Sequence, residues 1–428
     1  NLYVPVRTLY DVENTTLTVN DTLLGKSGAV YYRIREYDSD RKVRTTNEVM
    51  ISIPSATGND FVKYGSLAIL DTDPVTVEFN YPYEVAPAVF TGLVTSKNAD
   101  AVPTSLVTDV EKDKFPYKYF ALQHQDDPVS FTKVENVPFM SLPLGNHTFG
   151  DMDIEVAATA VMGDTLEVKF AKPFPKGITP VVLAELNPTI TAEPYFVRVG
   201  DVTNEGFKVI TFHEEAAGVQ VTTAQPLFYA AFTPGSECID EEEGLLLTAG
   251  LSDEKVYGIG ARNLYFTDCD YDEEGNVTRN DTLLLEDPLV FASMRTFNYT
   301  GGAVLRQSSV YNETIDDKTY VEYMKVRKLV DSSKTGIKNN SGTADLFGWV
   351  ALSKGGISTD AVGIDGVASQ GEGAGMSVSV VDRRIIVHGT DDFEVFTLGG
   401  TKLSSAAVQQ PGIYMVRSAN SVVKVVVR

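Results

Sequence analysis

Apolar residues recur at every second position along most of the chain, and prolines and glycines close each run. The stretch from Asp164 to Gly235 shows the pattern most fully. Leu166, Val168 and Phe170 alternate with polar neighbours, the period of a half-buried strand. Pro173, Pro175 and Pro180 then bend the chain, and Val181-Val182-Leu183 forms a continuous apolar run that predicts a buried strand. Phe196-Val197-Arg198-Val199, the turn Thr203-Asn204-Glu205-Gly206 and the run from Phe207 to Phe212 predict a hairpin. Leu227 to Phe232 closes the unit before Pro234-Gly235. The sum is a small antiparallel sandwich with no helix called for.

The same order of signals recurs. Val77-Glu78-Phe79, Pro82-Tyr83 and Pro87 echo Val168-Lys169-Phe170, Pro173-Phe174 and Pro180, while Val107, Asp109, Val110 and Phe115 fall on Val199, Asp201, Val202 and Phe207. A more divergent third copy is read from Phe297-Asn298-Tyr299, Val304-Leu305, Thr335-Gly336-Ile337 and the run from Phe347 to Leu352. In it Trp349 takes the place of Tyr229, and Gly355 that of Gly235. The expected fold is all-β, with tandem antiparallel β-sandwich domains. Residues 1–147 form the first with an N-terminal arm, 148–236 the second, 237–356 a divergent third, 357–375 a Gly-rich linker and 376–428 a separate β-domain. Strands at the chain start either pair within the first sandwich or add to the sheet edge of a neighbouring molecule.

Composition narrows the function. A formal charge of −22 argues against nucleic acid and anionic membranes. No apolar run reaches membrane-spanning length, and the start at Asn1 fits a processed, exported protein or a trimmed one. The acidic stretch Cys238 to Asp287 reads as an irregular loop. Within it Asp268, Asp270 and Asp272 precede Glu273-Glu274-Gly275, and they are either calcium ligands or a solvated acidic face. The two cysteines, Cys238 and Cys269, either bridge or stay as thiols. Four histidines and no HExxH, Gly-x-Ser-x-Gly or Cys-His signature give no enzyme reading.

Two resemblances add to this. Val395-Phe396-Thr397-Leu398-Gly399-Gly400, Gln410-Pro411-Gly412-Ile413-Tyr414-Met415-Val416-Arg417 and the end Val422-Val423-Lys424-Val425-Val426-Val427-Arg428 resemble the C-terminal sorting domain of the type IX secretion system of Bacteroidetes. That resemblance implies an Ig-like sandwich, handling by the type IX secretion machinery and an extracellular or outer-membrane-surface location. Asp21-Thr22-Leu23, Asp164-Thr165-Leu166 and Asp281-Thr282-Leu283 look like that phylum's O-glycosylation tripeptide.

The repeat, through Val168-x-Phe170-x-x-Pro173-Phe174, Pro180-Val181-Val182-Leu183, Val199-x-x-Val202-Thr203-x-x-Gly206-Phe207 and Tyr229, is similar to the H-type lectin family. The similarity implies six-stranded sandwiches, homo-oligomers and binding of N-acetylgalactosamine-type sugars. Phe212-His213 matches the family's aromatic-His pair, whereas Pro194 stands where the family has an Arg. The expectation is a secreted, non-enzymatic, carbohydrate-binding or adhesive protein that binds glycans or cell-surface proteins. The alternatives are a structural subunit of an extracellular fibre, sheath or surface layer, in contact with copies of itself, and a glycan-processing accessory protein.

Overall fold

The computed structural model describes residues 28–427 except 34, 38–42, 46–48, 54–56, 99–101, 123–132, 162–164, 189–193, 215–223, 241–242, 258–259, 273–274, 316–317, 332–342, 359–376, 382–383, 389–392, 398–401, 404–411 and 419–420. The described residues are all-β, as the alternation predicts, and divide into two compact units, Asn1–Thr359 and Asp360–Arg428.

The larger unit begins with β1 (Gly28–Tyr32), β2 (Arg35–Tyr37), β3 (Val43–Thr45) and β4 (Val49–Ile53), in the pairs β1-β4 and β2-β3. Three antiparallel sandwiches follow. The first contains β5 (Thr57–Gly58), β6 (Lys63–Ile69), β7 (Val75–Glu78), β8 (Ala88–Thr91), β9 (Val102–Val107), β10 (Lys114–Leu122) and β11 (Glu135–Leu142). Its sheets run β5-β6-β11-β8 and β7-β10-β9. The second contains β12 (Gly145–Phe149), β13 (Met152–Val161), β14 (Leu166–Lys169), β15 (Val181–Leu186), β16 (Tyr195–Gly200), β17 (Gly206–His213) and β18 (Gln225–Phe232). Its sheets, β12-β13-β18-β15 and β14-β17-β16, repeat the order of the first.

The third sandwich is built from β19 (Gly235–Asp240), β20 (Leu245–Leu251), β21 (Arg262–Tyr271), β22 (Val277–Glu286), β23 (Leu289–Met294), β24 (Ala303–Ile315), β25 (Lys318–Val330), β26 (Phe347–Ser353) and β27 (Gly356–Ser358). Its four-stranded sheet, β19-β20-β26-β23, has the same order again. Its second sheet grows to five strands, β24-β25-β21-β22-β27, because a ten-residue hairpin pair, β21 and β22, stands where the other copies have one short strand. This corrects the reading of Cys238 to Asp287 as an irregular loop. Asp268 and Asp270 fall on the same alternating face of β21 as the buried Leu264 and Phe266 and carry it past the core, where Asp268 is half-buried and Asp270 exposed. Thr335-Gly336-Ile337 lies outside the described residues.

Turn chemistry repeats with the strands. Gly145 (φ 132°) and Gly235 (φ 146°) open the second and third copies in a backbone region that disfavours side chains. Asp109 (φ 43°) and Asp201 (φ 50°) take the same left-handed turn before β10 and β17, a conformation that short polar side chains tolerate.

The four-stranded sheets are buried on both faces. One face of each closes its own sandwich: Phe139 against Phe115, Tyr229 against Phe207, Trp349 against Phe266. The other face meets the two sister sheets in a shared central core. Phe90, Leu183 and Phe291 enter it from β8, β15 and β23; Leu142, Phe232 and Leu352 enter from β11, β18 and β26. Burial on both faces explains why Val181-Val182-Leu183 and Phe347 to Leu352 are continuous apolar runs rather than alternating ones.

The second sheets of the three sandwiches also meet, through pairwise contacts among β9, β16 and β24. Side chains cross these junctions in a cycle. Leu106 of the first sandwich lies in the core of the second. Arg198 of the second is buried in the third, donating to the carbonyls of Thr296 and Gly301 and lying 3.4 Å from Asp345. Arg306 of the third is buried in the first, where it donates to Glu135 at 2.7 Å and to the Thr95 carbonyl at 2.9 Å. One chain thus builds a closed ring of three sandwiches. The edge strands β8, β9, β15, β16 and β23, and the start of β24, are turned toward the junctions, away from chance strand pairing outside the molecule, while β24 from Val310 to Thr314 is exposed.

The smaller unit contains β28 (Ser377–Val381) paired with β29 (Arg384–His388), and β30 (Glu394–Thr397), β31 (Gly412–Ser418) and β32 (Ser421–Val427) in the order β30-β31-β32. Ile385, Val395, Tyr414 and Val416 form its core.

Candidate functional site

Phe212 and His213, the residues singled out for sugar contact, end β17. The structure directs both rings to neighbouring side chains. Phe212 packs on Val102, Leu122, Phe196 and Leu329, the cluster in which the second sheets of the three sandwiches meet. His213 lies beside Tyr195, with ring centroids 4.3 Å apart. These contacts make Phe212 a junction residue, and its ring is not an open platform.

The acidic residues are spread out. Asp268 and Asp270 lie on β21, and Asp272 accepts hydrogen bonds from the backbone and side-chain amides of Asn276 in the β21–β22 turn. Among the described residues no group of three His, Cys, Asp or Glu side chains gathers to hold a metal ion. Cys238, exposed on β19, and Cys269, half-buried on β21, are not bridged to each other, and the two strands belong to different sheets.

Strand register assembles a different surface. On the outward face of the five-stranded sheet, Tyr323 of β25 stands opposite Tyr311 of β24 on one side and Tyr265 of β21 on the other. Their cross-strand spacing brings the ring centroids of Tyr311 and Tyr323 to 4.4 Å, nearly parallel, and those of Tyr265 and Tyr323 to 5.1 Å, tilted by 41°. Tyr265 remains 44% exposed and Tyr311 38%. The next rung is polar: Lys325 stands opposite Asn263 and Ser309. Lys325 lies 5.0 Å from the Tyr311 ring, and its hydrogen bond, with a further one from Ser309, holds the Tyr311 phenol below its usual range. Asn263 Nδ2 donates to the Tyr265 hydroxyl at 3.1 Å. An aromatic rung beside a rung of amide, ammonium and hydroxyl groups offers apolar contact and hydrogen bonding on one solvent-facing surface.

The second unusual feature is internal. Where β8, β9, β15, β16, β23 and β24 converge, they line a partly open cavity of about 120 Å³. Glu185 of β15 borders it, accepting hydrogen bonds on Oε2 from Thr91 Oγ1 at 2.9 Å and Thr91 N at 3.3 Å. Burial, opposed by those two hydrogen bonds, pushes the Glu185 carboxyl up to about 7. A glutamate inside the apolar run of β15 was the sequence signal for it.

This carboxyl makes stability depend on pH. It releases its proton near 4.5 when unfolded and near 7 when folded, so folding takes up a proton between those values and stability falls as pH rises through them. The slope from this group is at most about 1.4 kcal/mol per pH unit. Urea denaturation from pH 5 to pH 8 should show the fall, and Glu185→Gln should flatten it and be more stable than wild type at pH 8. An unchanged slope in the variant would refute the assignment.

No family model, curated protein or solved structure matches the chain.

Proposed function

We propose that the chain is an extracellular, non-enzymatic carbohydrate-binding protein, and that the outward rung Tyr265–Tyr323–Tyr311 is its sugar platform. The supporting observation is three tyrosines aligned across adjacent strands, Tyr265 and Tyr311 exposed on either side of the half-buried Tyr323, with Asn263, Lys325 and Ser309 in the neighbouring rung. The negative face of a phenol ring attracts the polarised C–H groups of a pyranose, and the polar rung supplies hydrogen bonds for its hydroxyls. The ring of sandwiches acts as a rigid mount. Export rests on the resemblance of the last fifty or so residues to a sorting domain.

Glycan-array binding should fall at least tenfold in Tyr265→Ala and in Tyr323→Ala, while His213→Ala binds as wild type does. Cross-strand aromatic pairs contribute only about 0.2–1 kcal/mol each, so both tyrosine variants should fold. Wild-type binding in both would end this reading.

A structural-subunit reading has one observation in its favour. The thirteen-residue β24 is a sheet edge whose residues Val310 to Thr314 are exposed, which suits lateral strand pairing with another copy. Filaments in negative stain without added sugar, lost on Val310→Lys, would favour it.

A further inference from the structure

The central cavity calls for an occupant different from a glycan. Its walls come from all three sandwiches, through edge strands whose outer edges carry no ladder partner among the described residues. Polar backbone groups on those edges need partners. Glu185 contributes the only formal charge among the lining residues, and no Lys, Arg or His borders the space to balance it. A half-buried carboxylate with no counter-charge beside it is costly, and a bound cation would relieve the cost.

The kind of cation follows from the lining. A calcium or magnesium ion takes six or more oxygens, commonly from several carboxylates, and this site has one. The remaining wall mixes the side chains of Phe90, Leu183, Phe196 and Leu305 with polar atoms, which make up the larger share of its surface. One negative charge, a largely polar strand-edge surface and a few apolar side chains match a single ammonium head on a short carbon body. For scale, a cavity of about 150 Å³ accepts benzene, with its six carbons, so about 120 Å³ suits roughly five non-hydrogen atoms.

We infer that the cavity at the junction of the three sandwiches is a binding site for a small primary ammonium ion, its head on Glu185 and its carbon chain against Phe196 and Leu305. The ion exchanges for the carboxyl proton, so binding releases a proton at neutral pH. Tyr117, which faces Glu185 from β10 and shares a hydrogen bond with Ser105, and Tyr195, which lines the cavity beside His213, are the other titratable groups near it. Burial pushes the Tyr117 phenol far above neutrality, so it stays protonated there. This inference is independent of the sugar reading, since the two surfaces share no residue.

The test is isothermal titration calorimetry of the full chain at pH 7.5 with n-butylammonium, with 1-butanol as the uncharged probe of the same size. Butylammonium should bind, with a heat that changes between buffers of different ionisation enthalpy as a proton is released. Butanol should bind at least tenfold more weakly. Glu185→Gln, which keeps the shape of the side chain, should lose at least tenfold in butylammonium affinity. Ala292→Leu, which fills the cavity from the third sandwich, should abolish binding; thermal melts establish that both variants are folded. Absence of butylammonium binding, equal binding of butanol, full affinity in Glu185→Gln, or displacement by an equal concentration of potassium would each overturn the proposal.

Discussion

Replacing Arg306 by alanine should lower the unfolding free energy by about 3–5 kcal/mol, one of the two largest losses expected of a single substitution. The guanidinium and the Glu135 carboxylate are both fully buried, and Arg306 also holds the Thr95 carbonyl. Glu135 is further bound by the backbone amides of Lys97 and Asn98 and the Thr95 hydroxyl, so it cannot turn to solvent when the arginine is gone. The variant leaves a negative charge in the junction between the third and first sandwiches. The double replacement Arg306→Met with Glu135→Leu should recover much of the loss, because a buried pair contributes little beyond an apolar pair of similar volume. Urea denaturation of the three proteins measures both quantities; a loss below about 1 kcal/mol in Arg306→Ala would show that the junction does not depend on this pair.

Phe232→Ala should cost a similar amount, about 3–5 kcal/mol, by removing a fully buried ring from the central core. What distinguishes it is where the loss is felt. The ring belongs to the second sandwich but packs in a cluster supplied by all three, so the whole larger unit should melt earlier in a single transition. A Phe207→Ala change, in the core between the two sheets of the second sandwich, should act through the same transition if the ring is one cooperative body. Calorimetry of the two variants should give one shifted peak each for the larger unit, and a new low-temperature peak confined to the second sandwich would contradict the shared core.

Much of this architecture was legible in the sequence because strands write their period directly. Leu166, Val168 and Phe170, and the hairpin of β16 and β17, lie where the alternation puts them. Trp349 occupies in β26 the place of Tyr229 in β18, each opposite an alanine of the neighbouring edge strand. Continuous apolar runs also signalled sheets buried on both faces, although not what covered the second face.

What stayed hidden depends on contacts between distant residues. Arg198 and Arg306 carry charges that in sequence imply solvent, and only ring closure brings each to its buried partners. Asp268 and Asp270 keep the strand period of β21, but a run of charges carries in sequence the signal of a solvated loop. Tyr265, Tyr311 and Tyr323 are ordinary strand residues until register sets them side by side, the last two across a hairpin with bulges at Gln307/Ser309 and Tyr311/Asn312. Phe212, by contrast, was noticed for its neighbour His213, and the third sheet junction claims it for packing.

Everything argued for the larger unit depends on three sandwiches behaving as one body closed by a shared core. Native-state hydrogen exchange on the full chain tests this most directly, through the amides of the central pairs β6-β11, β13-β18 and β20-β26. The account predicts that the slowest amides of all three pairs exchange through one opening with the same free energy, and that Phe232→Ala lowers all three together. Three distinct free energies, with only the β13-β18 amides responding to Phe232→Ala, would show three independent domains on a string and contradict it.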